Sequence, residues 1–178
     1  LSTTAPKYGT ASLLPGAGYV YCANDPDFSP GANDYTVEMW FKTPNASGSP
    51  TMFFSSNGPT DGAIAIDVPS GAHLPRVFIE QDASNYVYLT ATTTVNDGAW
   101  HHIAVIRSGN VWTLALDGVA EAQETHAWDI DCSGADTLKI GTNYNNTRPW
   151  DGYVDEVRIS RGAQYTSFPF TPSGPFTP

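Results

Sequence analysis

Basic residues are scarce in this sequence. Lysine and arginine number 8 against 18 aspartates and glutamates, for a net charge of −10. Phosphate neutralisation needs clustered Lys and Arg, so nucleic acid is excluded as a partner. An anionic membrane surface is disfavoured for the same reason. Long apolar runs are missing too: none approaches the ~18 residues of a spanning helix, and no membrane insertion is expected. Charge of either sign is sparse, at 15% of residues. Hydrophobic residues reach 40% and aromatics 12%, which excludes a disordered chain. Cysteine is limited to Cys22 and Cys132. One pair at arbitrary spacing is no framework; it fits a single disulfide in an exported protein or two free buried thiols.

Breakers, by contrast, are plentiful. The 178 residues include 16 Gly and 14 Pro, which argues against long helices. The length suits one domain with a real core and is short for two. The chain opens at Leu1 and closes on a Pro-rich strip, Phe168 to Pro178, expected to act as a strap from about 168. It reads as a single domain over 1–178, taken from a longer polypeptide or a processed form. Asn45-Ala46-Ser47 and Asn145-Asn146-Thr147 fit the glycosylation pattern, as chance tripeptides in a chain rich in Asn, Ser and Thr also do.

Short apolar or alternating runs punctuated by turns fill the chain. Tyr35–Lys42, Thr51–Ser55 and Ala63–Val68 each end at turn residues. Arg76–Gln81 and Tyr86–Thr90 flank a hairpin candidate, and Trp100–Arg107 and Val111–Leu116 a stronger one. Asp117-Gly118 is the best short hairpin signal. Leu138–Gly141 and Tyr153–Ser160 close the series. Ala120–Ala127 alone has helix-forming composition and reads as a strand edge or one short turn. Runs of this length and spacing mean an all-β sandwich or barrel. In Tyr153–Ile159, Val154 has the wrong parity to share a core face with Val157 and Ile159. A β-bulge at Asp155–Glu156 would bring all three inward and turn Asp155 away from the sheet.

Lys7-Tyr8-Gly9 through Gly18-Tyr19-Val20, with Asp27-Phe28 and Asp34 to Trp40, resembles the opening of laminin G-like, concanavalin A-like jelly-roll domains. Asp97 to Val105 resembles their central strand, Leu114 to Val119 the next hairpin, and Leu138–Gly141 and Gly152 to Ile159 their final strands. The tail from Ser160 to Pro172 is similar to versions in bacterial and phage surface or structural proteins. The resemblance implies a two-sheet antiparallel β-sandwich. It is weak for function, since the fold hosts lectins, enzymes, adhesion modules and spacers.

Polysaccharide hydrolases of this fold place carboxylates at alternating positions on one strand, as Glu-x-Asp-x-x-Glu. No such motif occurs here, so no catalytic residues are assigned. Asp155 and Glu156 are adjacent, Glu121 and Glu124 lie in a weakly patterned stretch, and Glu38 stands among apolar neighbours. His101 and His102 point to opposite faces of a strand and cannot grip one ion together. The resemblance implies a structural calcium at Asp155, with backbone carbonyls near Gly16 and Gly18. The alternative is an Asp that only hydrogen-bonds the backbone at its bulge. Asn24-Asp25-Pro26-Asp27 reads as an Asx-type turn or a second cation loop.

Aromatics supply the remaining signal. Trp40 and Trp100 belong to packing motifs, and Trp112 shares parity with Leu114 and Leu116. Trp150 ends the polar loop that carries Tyr144, Asn145, Asn146 and Arg148, and Trp128 lies in another loop-like stretch. Such a grouping fits a sugar platform, unless Trp150 folds under its own loop. The expectation is a non-catalytic recognition module of an extracellular, cell-surface or virion protein, binding a carbohydrate such as a cell-surface glycan. The alternatives are a structural domain that contacts neighbouring protein subunits, and a hydrolase or lyase with an atypical site.

Overall fold

The computed structural model describes residues 1–3, 6–14, 18–23, 25–43, 50–56, 61–133, 137–172 and 174–176. Gly16, the Asn45-Ala46-Ser47 tripeptide and the end of the strap lie outside this set. Among the described residues, eleven strands and one 3-10 turn (Pro26–Phe28) form two antiparallel sheets. One has six strands: β1 (Val20–Ala23), β10 (Thr137–Ile140), β3 (Thr51–Ser56), β4 (Asp61–Asp67), β5 (Arg76–Asp82) and β6 (Asn85–Thr90), in that order. The other has five: β11 (Tyr153–Arg161), β2 (Tyr35–Lys42), β7 (His101–Ser108), β8 (Val111–Leu116) and β9 (Val119–Thr125). This is the expected two-sheet sandwich. The stretch of helix-forming composition is a strand at the edge of the smaller sheet.

Alternation builds the core. Val37, Met39 and Phe41 of β2, with Ile103 and Val105 of β7 and Trp112, Leu114 and Leu116 of β8, meet Ile64, Ile66, Val77, Ile79 and Leu89 of the larger sheet. Each such side chain contributes about 1.5–3 kcal/mol when fully buried. The register of β11 against β2 slips between Asp155 and Arg158, so Glu156 and Val157 together oppose Met39. Glu156 takes the left-handed conformation (φ 51°) this requires. Val154 is thereby buried in the core, and Val157 and Ile159 pack against it.

The C-terminal segment crosses the outer face of the five-stranded sheet. It begins to cover that face at Ala163, earlier than the Pro-rich strip suggests. Ala163, Tyr165, Phe168 and Phe170 pack on Ala104, Ile106 and Ala115. The Phe170 amide donates to the carbonyl of Gly118 (2.9 Å). A Cβ on Gly118, where φ is 85°, would lie 1.8 Å from the Phe170 carbonyl oxygen, so the strap can seat only over a glycine there.

Candidate functional site

Beneath the strap, Glu38 of β2 is fully buried. It accepts from both Nε and a terminal nitrogen of Arg158 (2.8 and 2.5 Å), from the Tyr165 hydroxyl (2.8 Å), and pairs with His102 Nε2 (3.0 Å). Burial pushes its carboxyl up, but the hydrogen bonds from His102, Arg158 and Tyr165 and the Arg158 charge hold it below the usual range. Nothing here is open to a ligand: the network ties the strap to β2 and β11.

The outer face of the six-stranded sheet is different. Pairing sets three rows across it: Thr51–Asp67–Arg76–Thr90, Phe54–Ala65–Phe78–Tyr88 and Ser56–Ala63–Glu80–Tyr86. Strand β4 contributes alanines between the bulkier residues of β3 and β5, so a trench runs along it. Its volume is about 260 Å³. Phe54 and Tyr144 form one wall, with rings 5.9 Å apart; Phe78 and Tyr88, 4.9 Å apart, form the other. Tyr88 and Tyr144 are each about half exposed, at 47% and 51%. Aromatic faces on both sides of a floor of small residues suit a flat, partly apolar ring with polar edges.

Charges close one end. Asp67 accepts Nε and a terminal nitrogen of Arg76 in a bidentate pair (3.0 and 2.7 Å). That hydrogen bonding raises the Arg76 guanidinium above its ordinary value. Its guanidinium carbon lies 4.5 Å from the centre of the Tyr88 ring, fixing that wall. Arg148 approaches from the loop, 3.9 Å from Asp67. Glu80 lines the other part of the trench.

The loop from Gly141 to Trp150 forms the third side. Its ends are tied by the amide of Trp150 donating to Gly141 (2.8 Å), and Asn143 Oδ1 accepts the amides of Thr147 and Arg148 (2.9 and 3.1 Å). Lys139 Nζ donates to the Tyr144 carbonyl and to Asn146 Oδ1. The tip residue Tyr144 is therefore presented from a braced backbone.

Of the six residues expected to bind, Tyr144, Asn145 and Arg148 line the trench. Asn146 braces the loop from its far side, donating to the Tyr19 hydroxyl (3.2 Å). Trp150 is not a platform. It is fully buried, its ring 5.9 Å from Phe41, because the loop needs an apolar anchor to close the sandwich edge. Trp128 does not line the trench; it is half-buried and stacks on His126 at 3.9 Å. Asp67, Arg76, Phe78 and Tyr88 went unassigned from sequence, though Tyr86-Val87-Tyr88-Leu89 alternates.

Asp155 serves the backbone. Oδ2 accepts the amides of Lys7 and Tyr8 (2.9 and 3.2 Å), and Oδ1 that of Glu156 (3.0 Å). These N–H groups take about three of the roughly four lone-pair sites of the carboxylate, the bonding expected of an Asp that serves the backbone at its bulge. Gly18 is exposed and Gly16 lies outside the described residues. Among the described residues no group of three His, Cys, Asp or Glu is placed to hold a metal. The Asp25 loop forms an Asx-type cap, with Asp25 accepting the Asp27 amide (2.9 Å).

The histidines divide as alternation requires. His101 pairs with Asp117 (2.7 Å) and Asp97 (3.1 Å) and His102 with Glu38. The Asp117 hydrogen bond, opposed by burial and helped by Asp97, raises the His101 pKa. Both cysteines are free thiols; burial pushes the Cys132 thiol up to about 12, whereas Cys22 is exposed.

A family model described as the concanavalin A-like lectin/glucanases superfamily matches residues 14–164. The chain belongs to that superfamily, in its laminin G-like form. A search of curated proteins finds no match. Among solved structures, the chain is similar to domain 4 of AbnA, an extracellular arabinanase from Geobacillus stearothermophilus, in complex with arabinotriose. Identity is 18%, the TM-score is 0.68, and the match covers 86% of this chain and 75% of that one. A carbohydrate-binding module (CBM40) of the Ruminococcus gnavus IT-sialidase, bound to α2,6 sialyllactose, has 13% identity and a TM-score of 0.64, over 83% and 92%. Domains LG4-5 of the mouse laminin α1 chain have 18% identity and a TM-score of 0.63, over 93% and 47%. At these identities the likeness is one of fold.

Proposed function

We propose that this chain is a non-catalytic carbohydrate-binding module that seats sugar rings in the trench along β4. The observation that carries the reading is the pair of half-exposed tyrosines, Tyr88 and Tyr144, each backed by a phenylalanine across a floor of Ala63 and Ala65. The trench supplies edge hydrogen-bonding groups from Asn145, Arg148 and Glu80. Two similar folds were solved with arabinotriose and sialyllactose bound, which supports the class of ligand. An extracellular or surface setting, in a larger secreted, surface or virion-associated protein, accords with this role.

Spacing argues against retaining glycosidase chemistry in the trench. The trench carboxylates are Asp67 and Glu80. Glu80 pairs with Ala63, four residues from Asp67 along β4, so the two backbone positions stand roughly 14 Å apart at ~3.3 Å per residue. Retaining glycosidases need carboxyl groups ~5–5.5 Å apart, nearer than Asp and Glu side chains can bring two positions so separated. Asp67 is also held by Arg76.

A second reading, a structural domain that docks on neighbouring subunits, draws on β1, an edge strand with Val20 and Tyr21 exposed at 48% and 64%. A broad glycan array on the purified domain separates the two. The module reading expects a defined set of bound glycans, lost in Tyr88→Ala. A blank array from folded protein would overturn it.

A further inference from the structure

We infer that the trench receives an anionic sugar residue, whose carboxylate docks on the Arg148 guanidinium. This rests on the carbohydrate reading above and specifies the ligand at the same site.

The chain has five arginines, and four have their guanidinium groups engaged in hydrogen bonds. Arg76 forks onto Asp67, and Arg158 onto Glu38. Arg107 is buried and donates to the carbonyls of Gly109 and Gly31. Arg161 donates to Asp27. The Arg148 guanidinium makes no hydrogen bond among the described residues. Its approach to Asp67, at 3.9 Å, is too long for one, and its side chain is 49% exposed. The position is nonetheless fixed: the Arg148 amide donates to Asn143 Oδ1 (3.1 Å) and its carbonyl accepts from the Thr51 amide (3.1 Å). An open, planar donor set on a braced backbone beside an aromatic wall matches a carboxylate, which it can hold through two parallel N–H···O bonds.

The neighbouring charges agree. Arg76 compensates Asp67, so the cluster of Asp67, Arg76 and Arg148 carries one net positive charge on a molecule of net charge −10. Glu80, elsewhere in the trench, bears the opposite sign. A sugar acid entering between Tyr88 and Tyr144 is therefore oriented, with its anionic group toward Arg148.

Isothermal titration with matched ligands tests this. The probes are 3′-sialyllactose against lactose, trigalacturonate against its methyl ester, and 3′-sulfated lactose as a non-carboxylate anion. The inference expects at least one carboxylated member to bind about tenfold or more tightly than its neutral match, and to weaken with salt. Arg148→Gln should lose about ten- to hundredfold for that ligand and leave the neutral match within about twofold. Arg148→Lys should recover part of the loss. The side chain lies at the surface, so both variants should melt as the parent does. Equal binding of acid and neutral matches, or an acid preference that survives Arg148→Gln, overturns the inference and leaves the carbohydrate reading standing. Capture of only the sulfated ligand overturns the carboxylate assignment. No binding of any probe by folded protein overturns the inference, and a blank glycan array besides overturns the carbohydrate reading.

Discussion

On the five-stranded sheet, Ala104 and Ala115 lie under Phe168, Phe170 and Tyr165 of the strap. On the six-stranded sheet, Ala63 and Ala65 lie between aromatic walls, and among the described residues no segment fills the space above them. Small residues on an outer face leave room for something large. On one face the chain supplies its own aromatics and locks them with a buried carboxylate. On the other the aromatics stand at the sides with two tyrosines half exposed, as they would for a ligand that comes from outside. On the proposed reading, packing and recognition use the same materials and differ in whether the filler is covalently attached.

The closed face should break hardest. Glu38→Ala leaves Arg158 without its buried partner and is expected to cost about 3–5 kcal/mol. Chemical denaturation checks this, and a loss below about 1 kcal/mol would mean that the network does not hold the strap. Phe170→Ala removes a ring stacked 3.6 Å from Tyr165 and should cost about 2–3 kcal/mol, while the folded protein keeps its ligand affinity. The open face should behave in reverse. Tyr88→Ala or Tyr144→Ala is expected to weaken glycan binding about tenfold or more and to change stability by under about 1 kcal/mol. A tyrosine variant that unfolds instead would place these residues with the core.

The division was partly legible in the sequence. The strands, the hairpin at Asp117-Gly118 and the bulge were readable because period-2 alternation and turn chemistry are local. The parity of Val154 against Val157 and Ile159 admitted few solutions. The trench was less legible. Val77-Phe78-Ile79 is apolar on both faces, so no alternation marks Phe78 as outward. What sets Phe54, Ala65, Phe78 and Tyr88 in one row is the register of four strands, which no short window shows. Trp150 admitted two readings, platform or buried anchor, for the opposite reason. A tryptophan in a polar loop looks exposed, yet a loop rich in Asn and Thr has little else with which to anchor itself.

Two smaller effects sharpen the contrast at the sandwich edge. His101, hydrogen-bonded by Asp117 against the opposing effect of burial, and aided by Asp97, titrates above its ordinary value of about 6.5. Its contribution is full below about pH 6.5 and is lost as pH rises through the higher folded value. The stability gap between the parent and His101→Gln should therefore narrow from pH 6 to pH 9, as followed by thermal melts; a constant gap would contradict it. Chelation should leave the melting temperature unchanged, because Asp155 is occupied by the amides of Lys7, Tyr8 and Glu156. A fall on chelation, reversed by calcium, would show that the carboxylate holds a cation after all.

The most direct test of the central claim is titration of array-selected glycans into the parent protein, the Tyr88→Ala/Tyr144→Ala double variant and the Phe170→Ala variant. The open-face account predicts binding to the parent, loss in the double variant with its fold intact, and retention in Phe170→Ala. Undiminished binding in the double variant, or loss confined to Phe170→Ala, would place recognition on the other face and contradict it.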